Sequence, residues 1–360
     1  MSKTVVVGLS GGVDSSVAAY LLKKQGYNVI GLFMLNWEEQ DENGACTAEQ
    51  DFEDVKRVAN KIGIPYYTVN YAKEYKERVF SYFLDEYKKG YTPNPDVMCN
   101  KEIKFGPFLQ HALKLGADYI ATGHYCKRVD KNGKSYLYKS FDKNKDQTYF
   151  LNQLNQSQLS KTLFPLADID KTEVRQIAKE LGLITAEKKD STGICFIGER
   201  DFRKFLKGFL PAQKGEIKDL QGNTVGVHDG AMYYTIGQRR GLNIGGKNGY
   251  DADRWFVVKK DIQKNILYVN CGECDEMYSS ACIVTEFNWI ADKPTESFNC
   301  GVKLRYRQPD QKTKVEILDD STLKLTFAEK QRAVTIGQFA VLYDEDGKCF
   351  GGGRINELIK

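Results

Sequence analysis

Residues 8–16 read Gly-Leu-Ser-Gly-Gly-Val-Asp-Ser-Ser, directly after the apolar run Val5-Val6-Val7 and directly before an amphipathic stretch. A strand, a glycine turn and a helix in that order gather the backbone N–H groups of the helix start around one point, a common way to hold phosphate. Gly11 and Gly12 permit the tight turn and a close backbone approach. Ser10, Ser15 and Ser16 add hydroxyl donors, and Asp14 is placed to hold Mg²⁺ against phosphate oxygens. Two familiar nucleotide loops are excluded. No Lys-Ser/Thr closes the string as a P-loop requires, and the glycines miss the dinucleotide spacing. A Gly/Ser string alone is often only a turn, but the flanking elements and the acid make this one a nucleotide site.

The first 125 residues alternate short apolar runs with helical periodicity. Residues 28–34 and 64–69 read as strands. Phe52, Val55, Ala59 and Ile62 mark one helix, and Tyr75, Val79, Phe83 and Tyr87 mark another. Residues 118–122 form a further strand, ending at Gly123-His124. Such alternation predicts an α/β domain with a mostly parallel sheet, whose ligands lie at the carboxyl ends of the strands. Gly8, Met34 and Gly123 all fall at such ends. A turn at residues 131–134 predicts a hairpin, and residues 171–181 a helix. Residues 201–280 predict a small α+β or β-rich unit. Beyond Ser280, short runs at 303–306, 314–318, 323–327 and 339–343 predict an antiparallel β-barrel. The expected domains are 1–202, 203–278 and 279–360, with linkers near 200–215 and 275–282.

Fifty-two Lys and Arg against 48 Asp and Glu give a formal charge of +4. That balance allows RNA binding without indicating it. No run of eighteen apolar residues suggests a membrane span, and the N-terminus carries no secretory or transit pattern, so the cytoplasm is the expected compartment. Nine cysteines, an odd number, argue against a structural disulfide framework. Two stand in polar loop contexts. Cys99 follows Thr92-Pro93-Asn94-Pro95-Asp96-Val97-Met98, stiffened by its prolines, and precedes a helical pattern beginning near Lys101, which predicts a lowered thiol pKa. Cys195 lies in Asp190-Ser191-Thr192-Gly193-Ile194-Cys195.

The Ser-Gly-Gly-Val-Asp-Ser string resembles the pyrophosphate loop (PP-loop) of ATP pyrophosphatases, an adenine nucleotide alpha-hydrolase-like fold. Together with Thr-Pro-Asn-Pro-Asp-Val-Met-Cys-Asn, Ala-Thr-Gly-His-Tyr, Lys-Asp-Gln-Thr-Tyr-Phe-Leu and Asp-Ser-Thr-Gly-Ile-Cys-Phe-Ile-Gly-Glu-Arg, it resembles the motif series of MnmA-type tRNA-specific 2-thiouridylases. The likeness covers nearly the whole chain. It implies ATP-dependent replacement of the C2 oxygen of wobble uridine-34 by sulfur in tRNAs for Lys, Glu and Gln, giving AMP and pyrophosphate. It implies a persulfide on Cys195, a nucleophile at Cys99, and a disulfide between them during turnover. Gly8, Leu9, Ser10, Gly11, Gly12, Val13, Asp14, Ser15, Met34 and Gly123 match positions that contact ATP. Asn94, Pro95 and Asp96 match the segment that meets the target base. His124, Lys145, Asp146, Gln147, Arg305, Tyr306 and Gln338 match positions that touch tRNA.

A uracil carbonyl oxygen is a poor leaving group, so adenylation by ATP, with Mg²⁺ held partly by Asp14, would activate it. A persulfide sulfur on Cys195 then displaces AMP, or Cys99 first releases hydrosulfide; the residues do not choose between these orders. Either a relay protein or a cysteine desulfurase is the expected sulfur donor. The wobble base must leave its stack to react. Lys303, Arg305 and Arg307 read as a cationic stripe on one strand, with Tyr306 on the other face. Cys271 and Cys274 form a lone Cys-x-x-Cys, which Cys282 and Cys300 do not complete at a diagnostic spacing, so structural zinc is not expected. Two other classes compete: synthetases that adenylate small acids with the same loop, and a non-catalytic RNA-binding protein. The synthetases do not account for the two cysteine motifs and the β-rich remainder, and a thiolation assay separates the RNA-binding reading.

Overall fold

The computed structural model describes residues 2–38, 47–190, 201–244 and 254–360. Its N-terminal unit is built on five parallel strands: β1 (Thr4–Leu9), β2 (Asn28–Leu35), β3 (Tyr66–Asn70), β4 (Tyr119–Ala121) and, later in the chain, β7 (Thr162–Leu163). Their order is β3-β2-β1-β4-β7. Both faces of this sheet are covered, which is why β1 is apolar without alternation. Val5, Val7 and Leu9 pack with Leu22, Val55 and Ala59, whereas Val6 faces Tyr75, Phe83 and Phe108. The chain builds outward from β1 to β3 and then returns to the other side of β1 with β4. The switch point therefore lies between the carboxyl ends of β1 and β4, where a ligand crevice opens.

Tyr75, Val79, Phe83 and Tyr87 all face the core. Four-residue steps drift by about 40° each on an ideal α-helix. A π-helical turn at Lys76–Phe80, between Ala72–Tyr75 and Ser81–Lys88, winds more slowly and holds the four side chains on one face. The predicted hairpin is present as β5 (Lys127–Lys131) and β6 (Lys134–Tyr138). Asn132 and Gly133 both take positive φ, +52° and +74°, as a two-residue hairpin turn requires.

The middle unit contains β8 (Gly215–Lys218), β9 (Thr224–His228), β10 (Trp255–Asp261) and β11 (Ile266–Cys271), ordered β10-β11-β8-β9. Residues 200–215 are not simply a linker, because Phe202–Phe209 is a helix. Its aromatic face is buried against the first unit, with Phe209 4.8 Å from Phe80 and Phe202 5.7 Å from Tyr87 between ring centroids. That burial is what makes the segment ordered.

The last unit comprises β12 (Tyr278–Trp289), β13 (Phe298–Lys303), β14 (Gln311–Ile317), β15 (Leu323–Arg332), β16 (Phe339–Tyr343) and β17 (Lys348–Ile359). Pairing of β12 with both β15 and β17 closes a six-stranded antiparallel barrel around Val284, Val302, Val315, Leu325 and Leu342. β6 of the first unit pairs with β17 through Leu137 and Tyr138, so the hairpin lengthens the barrel's sheet. One expectation fails here. β13 ends at Lys303 and residues 304–308 turn, with the Gln308 amide donating to the Arg305 carbonyl at 3.1 Å. The cationic stripe therefore does not exist. Lys303 points inward to Asp146 at 3.7 Å, while Arg305 and Arg307 stand exposed on the turn. Alternating charge suggested a strand, but the side chain of Gln308 accepts from the Leu304 amide and stabilises the turn.

Candidate active site

The glycine loop lies at the switch point. Gly11 adopts φ +73°, and Gly12 precedes the helix Val13–Lys24. The Ser15 and Ser16 hydroxyls do not face outward as the sequence suggested. Both donate to the Gly12 carbonyl, at 3.2 and 2.8 Å, and Ser15 Oγ also accepts from the Ser10 amide. The Ser15 and Ser16 hydroxyls brace the loop, which leaves its backbone N–H groups as the candidates to meet a phosphate. Gly8 sits against Met34, where an added Cβ would lie 3.3 Å from its Cε. Leu9 and Val13 are buried beneath the loop. At Gly123 a Cβ would come within 2.7 Å of the Ser15 amide nitrogen and 2.8 Å of the Asp14 carbonyl carbon. Neither backbone atom can yield without moving the loop. Gly123→Ala is therefore expected to lower ATP-dependent turnover about 10²-fold. Unchanged steady-state kinetics in ATP would show that the loop tolerates the displacement.

Asp14 is tied down rather than open. Its Oδ1 accepts from the Tyr125 hydroxyl at 2.8 Å and from Lys171 Nζ at 2.6 Å. Lys171 also reaches Asp190 at 2.8 Å, and Asp190 is gripped by Lys145 and by Arg175 at 2.9 Å. Burial opposes ionisation of Asp190, but Lys145 and Lys171 outweigh it and hold the carboxyl at about 2. Burial and the neighbouring Asp14 carboxylate push the Tyr125 hydroxyl far up, so it remains a donor. On the other side of the loop, Lys188 Nζ donates to the Gly11 carbonyl at 3.0 Å and pairs with Asp51 and Asp54 at 2.7 and 2.6 Å.

Cys99 is not at a helix start. Its helix begins at Pro95, is capped by Asn94 Oδ1 accepting from the Val97 amide at 3.2 Å, and continues as a π-turn over Asn100–Lys104. The two prolines moved the start upstream, since proline is favoured in the first turn. The N-terminal electrostatics invoked for the thiol thus fall on Asn94-Asp96 instead. Cys99 is 2% exposed. Burial pushes the Asp96 carboxyl above its usual value, with Lys104 opposing. Cys195 lies outside the described residues.

The remaining expected contacts divide into two groups. Gln338, on the barrel, donates to the carbonyls of Thr92 at 2.8 Å and Pro93 at 3.3 Å and accepts from Asn94 Nδ2 at 3.4 Å. Tyr306 lies 4.4 Å from Phe150, whose carbonyl accepts from Asn100, the residue after Cys99. Arg305 donates to the Ala333 carbonyl. Gln338 thus meets the Cys99 segment directly, Tyr306 reaches it only through Phe150, and Arg305 is held within the barrel. The other group lies within the first unit, and of it Gln147 supports the nucleotide loop through Tyr125. Gln147 makes two bonds with the Tyr125 backbone, and Asp146 is buried, accepting from Ser140 and Thr148. His124 is enclosed, bonded to Thr122 at 2.8 Å, and burial holds its ring well below the usual imidazole value, hence neutral. In this geometry neither Asp146 nor His124 presents a side chain to a macromolecule. Tyr125, Lys171, Lys188 and Asp190 were not singled out from sequence. Lys171 carried a signal as the first residue of a helix, and Tyr125 and Asp190 stood inside quoted motifs without a role; Lys188 carried none.

Three family models match in order: a tRNA methyl transferase HUP domain over residues 3–199, a tRNA methyl transferase PRC-barrel domain over 203–271, and an aminomethyltransferase β-barrel domain over 279–355. The tRNA-specific 2-thiouridylase MnmA of Exiguobacterium sibiricum is 58% identical over 99% of this chain and 95% of its own length. The chain belongs to the MnmA-type tRNA-specific 2-thiouridylase family. The thiouridylases of Oceanobacillus iheyensis and Geobacillus thermodenitrificans, at 59% and 58% identity over the same shares of both chains, are similarly related. This 2-thiouridylase family is one of tRNA sulfurtransferases. Among the described residues, no helix is long and apolar enough to cross a membrane.

Proposed function

We propose that the protein is a cytoplasmic tRNA-uridine 2-sulfurtransferase acting on wobble uridine-34 of tRNAs for Lys, Glu and Gln. The observation that carries this is Gln338 of the barrel holding the Thr92–Asn94 loop that leads into the buried Cys99, in the same unit that carries the glycine loop at the sheet's switch point. Family membership supports the substrate class. The loop amides of residues 8–15, with Met34 and Gly123 beside them, bind ATP, and Mg²⁺ enters with ATP as part of that substrate. Tyr125 and Lys171 converge on one carboxylate oxygen of Asp14, so Oδ2 is the atom assigned to the metal.

The uridine O2 forms a bond to the α-phosphorus, the bond to the bridging oxygen breaks, and pyrophosphate leaves with the electron pair. The N3 proton is lost, and Asp96, in the segment assigned to the target base and with its carboxyl raised by burial, is assigned to take it. The terminal sulfur of a Cys195 persulfide attacks C2, and AMP leaves. Cys99 attacks the inner sulfur, leaving the thiolated base and a Cys99–Cys195 disulfide that an external dithiol must reduce. Lys145, Arg305, Tyr306 and Gln338 are assigned to the tRNA side. His124, Asp146 and Gln147 would act there through the backbone they hold. A relay protein or a cysteine desulfurase supplies the sulfur.

The test combines protein, ATP with Mg²⁺, a persulfide donor and unmodified tRNA, followed by nucleoside digestion and mass analysis. A uridine heavier by the oxygen-to-sulfur difference is expected, dependent on ATP. Tight tRNA binding with no such nucleoside would favour the non-catalytic RNA-binding reading.

A further inference from the structure

We infer that Lys171 is a catalytic residue of the adenylation step, supplying positive charge to the pyrophosphate as it departs. This rests on the functional reading above but names a residue that reading does not need. Lys171 opens the helix Lys171–Glu180, whose Val174 and Ala178 pack against Val13, Val17 and Ala18 of the phosphate-loop helix. Its backbone is fixed twice: Asp170 accepts from the Glu173 amide at 2.8 Å, and Asp142 from the Lys171 amide at 3.0 Å. The side chain is 13% exposed and its ammonium lies 5.9 Å from the centre of the Tyr125 ring. A long cation is thereby aimed at the first turn of the loop helix, beside Asp14.

Two carboxylates, Asp14 and Asp190, hold that ammonium at 2.6 and 2.8 Å. An ammonium has three donors, so these two bonds leave one for a phosphate oxygen. A half-buried ion pair contributes little net stability, because desolvation offsets the attraction. The same pair beside a phosphate site keeps a charged lysine pre-oriented, without reorganisation when charge develops. In the step itself the O2–phosphorus bond forms as the bond from the α-phosphorus to the bridging oxygen breaks. The electron pair goes to pyrophosphate, and the uridine N3 proton goes to the base. Lys171 stays protonated throughout and exchanges no proton.

The test uses the full-length protein with Lys171→Gln and Lys171→Arg. Lys171→Gln is expected to lower the kcat for tRNA-dependent pyrophosphate release about 10²-fold or more, with a smaller rise in the ATP KM. Its affinity for Mg²⁺-pyrophosphate should fall at least about tenfold, while adenosine binding and persulfide loading of Cys195 remain unchanged. Lys171→Arg, which keeps the charge, should recover much of the pyrophosphate affinity. If Lys171→Gln only lowers thermal stability and binds pyrophosphate as the wild type does, the residue is a structural partner of Asp14 and the inference is overturned. Absence of tRNA-dependent pyrophosphate release from the wild type would instead overturn the sulfurtransferase reading.

Discussion

Cys195→Ser is expected to abolish thiolation, by at least about 10³-fold, and to abolish sulfur loading with it. In the proposed mechanism that thiol is the carrier of the persulfide. Cys99→Ser should be equally inactive in product formation yet still accept sulfane sulfur at Cys195. In the proposed mechanism it lacks the nucleophile that releases the sulfur and closes the turnover disulfide. Both variants should bind ATP normally, because the loop at residues 8–15 is built without either thiol. Cys99 is buried among Val97, Ile103 and Phe105. A disulfide requires the two Cα atoms to come within about 7 Å, so the partner sulfur must be delivered into that enclosed position. Intact-protein mass after treatment with a persulfide donor, followed by thionucleoside analysis, separates the two variants. Sulfur found on Cys99 and none on Cys195 would reverse the assignment.

Arg354→Ala is expected to destabilise the protein by about 3 kcal/mol, through the buried charge it leaves behind. Arg354, on β17 of the barrel, is bonded to Glu86 at the end of the helix Ser81–Lys88, and Glu86 is 2% exposed. Lys89, at 2.9 Å, remains as a second partner and limits the loss. The guanidinium also lies 5.4 Å from the centre of the Tyr91 ring. Thr92 follows directly, and its amide donates to the Ile336 carbonyl of the barrel at 3.0 Å. Loosening this contact should therefore also reduce thiolation, since Gln338 grips the same loop. Urea unfolding followed by fluorescence checks the first effect. A midpoint equal to wild type would mean that attraction and desolvation cancel at this pair.

The phosphate loop was legible because its chemistry is local: nine consecutive residues encode strand end, turn and helix start. The hairpin at residues 131–134 was legible for the same reason. Lys171 and Asp190 were not, although they sit within hydrogen-bond distance of the loop or of its partner. Neither carried a role in the sequence reading: packing of one helix on another brings Lys171 to Asp14, and Asp190 joins only through the shared ammonium. The reach of His124 and Asp146 was hidden for a related reason. A resemblance fixes which residue stands at a position, but burial decides whether its side chain meets a partner or supports a neighbour. Strand-like alternation at Lys303, Arg305 and Arg307 misled because period two is shared by any short exposed segment, and a single glutamine bond redirected it.

The pairing of β6 with β17 changes what kind of motion the protein can make. A barrel attached only through its covalent connection could swing away to admit a large substrate and return. Here such a swing would have to unzip sheet bonds at Leu137 and Tyr138, part Glu86 from Arg354, and free Thr92 from Ile336, all at once. Those losses are simultaneous, so hinge opening is disfavoured cooperatively. A large substrate is therefore expected to meet the barrel and the first unit in the mutual placement these three ties hold, and to do more of the adjusting itself.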